Sequence, residues 1–217
     1  MPNLLARLLT RSFPGKSDTQ FQPLGPEASD PKPDTPAGYE SRAFRLWLDL
    51  LPTSDSHSPR ILDLGRVHAQ TLSFFQQLGA RLGVMDLDLT SVGTAFEMQL
   101  DGYRDWGPFD GVLGWDIPNY LAEEELLVLG KWLETHTTAP CPTLICMATR
   151  TPYADSPAKY SIETATTLIA ENSGDISRNE RHPPNVLKRA WPAFEPNRSY
   201  LLRNGMQEFV FTRSENP

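Results

Sequence analysis

The stretch that decides the fold is Arg60-Ile-Leu-Asp-Leu-Gly65, followed by Gly83-Val-Met-Asp-Leu-Asp88. It reads as a buried strand, a turn, a helix, and a second buried strand that ends in acid. This is the first half of a nucleotide-binding α/β unit, in which an acid about 20 residues past the glycine turn meets a ribose hydroxyl. Asp86 stands at that distance from Gly65. The turn continues Arg66-Val67-His68-Ala69, where such a site commonly supplies more glycine.

Downstream the rhythm holds. Thr71, Leu72, Phe75 and Leu78 mark a helix ending near Gly79. Phe109–Trp115 is apolar on both faces, as a central parallel strand should be. Leu126, Leu127, Leu129, Trp132 and Leu133 place one face of a helix over 122–134 against the core. Thr143–Ala148 is another buried strand. Before the first strand, Ala43, Phe44, Leu46, Trp47, Leu50 and Leu51 recur at helical spacing and Pro52 ends the run. The short interval 89–100 has room for one or two helical turns and a brief third strand, Phe96–Leu100. Only 24 residues separate Asp86 from Asp110, so the second crossover is stunted. Ser199–Leu202 and Gln207–Thr212 flank Asn204-Gly205, a strong hairpin signal. Strands alternating with helices predict a doubly wound, mostly parallel seven-stranded sheet with an antiparallel C-terminal hairpin.

Residues 1–38 read as an N-terminal amphipathic helix followed by a Pro- and Ser-rich flexible linker, because Pro14, Pro23, Pro26, Pro31, Pro33 and Pro36 leave little apolar surface to bury. Residues 39–217 form one domain. Within it 151–184 break the α/β rhythm and read as an inserted flap, with Tyr160–Ile162 and Thr166–Ala170 as two short strands that pair.

The net charge of −7 argues against a nucleic-acid partner, which needs clustered Lys and Arg. No apolar run is long enough to span a membrane, and Arg7 interrupts the leucines a signal peptide would need, so a cytoplasmic protein is expected. Cys141 and Cys146 would lie roughly 16 Å apart in a strand, too far for a disulfide. His57, His68, His136 and His182 show no metal-ligand spacing, and no metal is expected.

Taken together, Ile61-Leu-Asp-Leu-Gly65, Gly83-Val-Met-Asp86, Phe109-Asp110-Gly-Val-Leu113 and the closing hairpin resemble the class I S-adenosylmethionine-dependent methyltransferases. More narrowly, the chain is similar to small bacterial methyltransferase-like proteins of unassigned substrate. In that family the last strand enters the sheet antiparallel after a hairpin turn. The resemblance implies S-adenosylmethionine as cofactor, with Asp63, Gly65, Asp86, Asp101 and Trp115 around it. Asp63 and Gly65 match the family's acid-x-Gly-x-Gly-x-Gly turn, and Val67 and Ala69 depart from it. Asp86 falls on the ribose acid and Asp101 on an acid that meets the adenine amine. Asp116, where the fourth strand leaves the sheet, is the candidate catalytic residue, orienting a proton or acting as base; the alternative is that it caps the next loop. Tyr120 is the candidate substrate-binding residue. Methyl transfer from a sulfonium needs alignment rather than a covalent residue. The implied function is therefore methyl transfer to an unknown small-molecule or protein acceptor. Its alternative is a catalytically inactive binding or scaffold protein of the same fold. A nicotinamide-dependent oxidoreductase is disfavoured by the missing glycine fingerprint and by the hairpin.

Overall fold

The computed structural model describes residues 38–52, 58–66, 68–149, 152–172, 174–179, 181–183 and 185–215. The expected N-terminal helix, the linker apart from Gly38, and Val67 lie outside the described residues.

The strands are β1 (Tyr39–Glu40), β2 (Arg60–Asp63), β3 (Arg81–Val84), β4 (Gly111–Trp115), β5 (Pro142–Ala148), β6 (Tyr153–Ala154), β7 (Lys159–Ile162), β8 (Thr167–Glu171), β9 (Ile176–Arg178), β10 (Phe194–Leu201) and β11 (Met206–Arg213). The helices are α1 (Arg42–Leu50), α2 (Ala69–Leu78), α3 (Thr94–Asp101), α4 (Glu123–His136) and α5 (Val186–Ala190). The main sheet runs β10-β11-β5-β4-β2-β3. Pairing is parallel from β5 through β4 and β2 to β3, and antiparallel where β11 enters between β5 and β10. Among the described residues the main sheet thus has six strands where seven were expected, mostly parallel with an antiparallel C-terminal hairpin.

The expected third strand is helix α3. Phe96, Met98 and Leu100 alternate as a strand would, but Phe96 and Leu100 are buried while Met98 is 71% exposed. Burial therefore follows the spacing of four, which a helix presents on one side. Leu127 also departs from expectation. It is 40% exposed, while its neighbours Leu126, Leu129, Trp132 and Leu133 are buried.

The sheet separates two apolar cores. Ile61, Leu113, Leu144 and Val210 face α1 and α2, whose Phe44, Trp47, Phe74 and Phe75 fill that side. Leu62, Val112, Ile145 and Phe211 face α3, α4 and α5. Consecutive strand residues divide between the two sides, as the pleat requires. Helix α1 is set by Ser41, whose hydroxyl accepts from the Phe44 N–H at 2.9 Å. Trp47 anchors it to the sheet through Nε1, which donates to the Pro142 carbonyl at 2.9 Å. Outside the main sheet, β7 pairs with β8 in the register Tyr160↔Ala170, β1 adds to the far side of β8, and β6 pairs with β9.

Gly130 is where α5 meets α4. A Cβ on it would lie 2.3 Å from Trp191 Cδ1 and 2.5 Å from the Ala190 carbonyl oxygen. In an exposed helix a Gly→Ala change stabilises by about 1 kcal/mol. Here the overlap with a backbone atom and a buried indole reverses the sign, because overpacking costs about 1–3 kcal/mol. Gly130→Ala is expected to lower unfolding free energy in urea by that amount; an unchanged or raised midpoint contradicts this packing.

Candidate ligand site at the carboxyl edge of the sheet

Chain order reverses between β2 and β4, so the crevice beyond their carboxyl ends is the topological switch point where open α/β sheets bind ligands. Asp63 ends β2 and is 1% exposed. Its Oδ1 accepts from the Gly65 N–H at 2.9 Å and from Trp115 Nε1 at 2.7 Å. Burial pushes the Asp63 carboxyl up to about 7, and these two donors pull in the other direction. The acid thus pins the glycine turn.

Trp115 ends β4 just past a register irregularity between Leu113 and Trp115, and takes φ 45°. A left-handed backbone is a genuine outlier for so bulky a residue. Its ring lies against Gly65: a Cβ there would be 3.0 Å from Trp115 Cδ1. On the other side it stacks on Tyr160 of β7, with centroids 4.7 Å apart and planes 5° apart. The glycine does open a space at this turn, and the chain's own indole fills it. His68 is exposed at the start of α2 and takes no part.

Asp116 follows directly and is 5% exposed. Oδ2 accepts from the Ala158 N–H at 3.0 Å, while Oδ1 has no hydrogen-bond partner. Burial raises this carboxyl to about 7 as well. Asp116 also heads a 3-10 turn over Ile117–Tyr120, where Asn119 knots the strand ends together: Nδ2 donates to the Asp116 and Cys146 carbonyls, and Oδ1 accepts from the Ala148 N–H.

Asp86 lies beyond the end of β3 at φ 42°, its carboxylate exposed and 3.5 Å from Arg66 Nε. Asp101 closes α3 on the surface, 3.7 Å from Arg104. Asp88, two positions after Asp86, accepts from Thr90 and Ser91 within its own loop, which lowers its carboxyl from the usual range. Asp63, Gly65, Trp115 and Asp116 are therefore brought to one place, while Asp86 and Asp101 stand apart on the surface.

Tyr120, the expected substrate-binding residue, lies at a separate cleft. A cleft of about 460 Å³ opens between the loop after β3, the turn after β4, and the segment carrying β6 and β9. Tyr120 lines it together with Glu125, Arg178, Arg181 and His182. The Arg178 guanidinium lies 5.4 Å from the Tyr120 ring centre. The Tyr120 hydroxyl faces the Ala154 and Ser156 carbonyls, so it is a donor to the same segment. Cys141 and Cys146 are free and buried. Among the described residues no group of three or more His, Cys, Asp or Glu could hold a metal ion, and no helix is long and apolar enough to cross a membrane.

No family model and no curated protein matches the chain. Solved structures do. The chain is similar to the 1,6-didemethyltoxoflavin-N1-methyltransferase of Burkholderia thailandensis with bound 1,6-didemethyltoxoflavin and S-adenosylhomocysteine, at 15% identity over 80% of this chain and 79% of that one, TM-score 0.43. It is similar to the glycopeptide N-methyltransferase MtfA complexed with S-adenosyl-L-methionine, at 12% identity over 74% and 89%, TM-score 0.39. It is also similar to the N-methyltransferase NodS of Bradyrhizobium japonicum, at 10% identity over 72% and 86%, TM-score 0.40.

The two buried carboxyls make a pH signature. In the folded chain they titrate near 7 and, once unfolded, near 3.8. Between those values the folded state holds more protons, so their contribution to stability is full below the lower value and is lost as pH rises through 7. Asp63→Asn and Asp116→Asn are expected to stay neutral and to lose less stability than the parent between pH 5 and pH 8. Urea midpoints across that range check it; parallel curves for parent and variants refute the assignment.

Proposed function

We propose that the chain is an S-adenosylmethionine-dependent methyltransferase whose cofactor crevice, at the switch point, is closed by Trp115 in the free protein. The supporting observation is the retained turn: a buried Asp63 holds the Gly65 N–H at a strand end, in the place where an adenosyl ligand would need a fixed backbone. Asp63 and Gly65 would hold the cofactor's amino-acid end, and the exposed Asp86 would accept from ribose hydroxyls. The Trp115 ring must leave the crevice for that. When bound, the cofactor supplies a methyl group on a sulfonium. Asp116 has one free oxygen and titrates near neutral pH, so it suits the task of taking a proton from the acceptor.

One observation favours a second reading, a binding or scaffold protein that does no chemistry. The Trp115 N–H satisfies Asp63 and its ring meets Gly65, so the crevice is complete without a ligand.

Calorimetric titration with S-adenosylhomocysteine separates the two. The parent is expected to bind with a Kd of about 10 μM. Asp86→Ala should weaken binding at least tenfold, by roughly 1.4 kcal/mol. Trp115→Ala, checked for fold by circular dichroism, should bind about tenfold more tightly because no stacked ring has to be evicted. No heat from parent or variant at millimolar ligand establishes the scaffold reading. Binding by Trp115→Ala alone makes the ring a permanent plug and ends the case for a working enzyme.

A further inference from the structure

The cleft beside Tyr120 carries chemistry of its own. Glu125 is 6% exposed and opens onto it. Its Oε1 accepts from the Gly93 N–H at 2.9 Å, so that half of the carboxylate caps the start of α3. Its Oε2 is buried with no hydrogen-bond partner. A buried carboxylate oxygen left unmet is costly, and a donor from a ligand relieves that cost. The same cleft is lined by Arg178, Arg181 and His182, and His182 Nε2 donates to the Pro118 carbonyl at 3.0 Å. Leu89 and Leu121 supply apolar wall to it.

We infer that this cleft binds a small acid that also carries an amine: the anion on the Arg178 and Arg181 side, the N–H donor on Glu125 Oε2, and an apolar body between. The volume, about 460 Å³, falls in the range of small-molecule sites. The inference rests on the methyl-transfer reading only in naming this molecule as the acceptor, whose amine nitrogen is the nucleophile. The binding itself is independent of that reading. Glu125 is a binding residue on this account and touches the ligand through the oxygen that the fold leaves free.

The probe is 4-aminobenzoate, with benzoate and aniline as controls, titrated calorimetrically into the full chain without S-adenosylhomocysteine. 4-Aminobenzoate is expected to bind at least about tenfold more tightly than either control. Glu125→Gln keeps an oxygen for the Gly93 N–H and should leave the melting temperature within about 2 °C of the parent. It replaces the free acceptor with a donor, so it should abolish the advantage of 4-aminobenzoate over benzoate and leave benzoate binding unchanged. Arg178→Gln with Arg181→Gln should weaken both acids about tenfold or more and leave aniline unaffected. Equal affinity for 4-aminobenzoate and benzoate, no binding of any probe up to about 10 mM, or a Glu125→Gln variant that weakens both acids alike, each overturns the inference. A failed S-adenosylhomocysteine titration beside a successful one with 4-aminobenzoate removes the word acceptor and leaves the binding site standing.

Discussion

A single hydrogen bond, from Trp115 Nε1 to Asp63 Oδ1 at 2.7 Å, organises the carboxyl edge of this sheet. It joins the ends of two neighbouring parallel strands at the point where the chain order reverses. The same oxygen holds the Gly65 N–H, so the turn, the strand and the indole share one acceptor. Through the stack on Tyr160 the bond extends to the β7–β8 hairpin. A buried carboxyl needs such donors, because burial alone drives it toward its neutral form. Remove the indole and Asp63 keeps one donor in a hollow whose wall has gone.

The energies at this point nearly cancel. A non-glycine residue in the left-handed region costs about 1–3 kcal/mol. Against this stand an aromatic stack of about 0.5–1.5 kcal/mol and a hydrogen bond of about 0.5–1.5 kcal/mol to a carboxyl that burial drives toward its neutral form. The ring is held by a small difference between larger quantities. A ligand offering Asp63 another donor would therefore meet a weak latch rather than a sealed core. This is why the same contact serves both functional readings, and why the magnitude of ligand binding discriminates between them better than the geometry of the free chain.

The sequence made the sheet legible where one residue type had one physical use. Ile61-Leu62-Asp63 and Gly111–Trp115 are buried on both faces and admit no helix of useful length. Asn204-Gly205 fixed the hairpin: Gly205 has φ 82°, and Asn204 Oδ1 accepts from the Met206 N–H at 3.1 Å. Legibility failed where local pattern was ambiguous. Phe96, Met98 and Leu100 fit a period of two, and only the exposure of Met98 shows that the helical period won. The pairings within the site were hidden for a different reason. Trp115 and Asp63 are 52 positions apart, and Glu125 and Gly93 are 32 apart. No local window holds such pairs. The signal that could have been used for Trp115 was its size, since an indole directly after Gly114 at a switch-point strand end must go either into the core or into the crevice.

The short second crossover explains more than a missing strand. Between Asp86 and Asp110 the chain can build a helix or a helix-and-strand pair only at the expense of its loops. It builds the helix, α3, and precedes it with Gly93, which has no side chain to serve as a cap. The cap must come from outside, and Glu125 on α4 provides it. That demand draws a carboxyl group inward to 6% exposure and leaves its second oxygen buried without a partner, on a residue that lines the cleft. The helix that stands where a strand was expected and the polar cleft beside it thus share one residue: Glu125 caps the start of α3 and also lines the cleft.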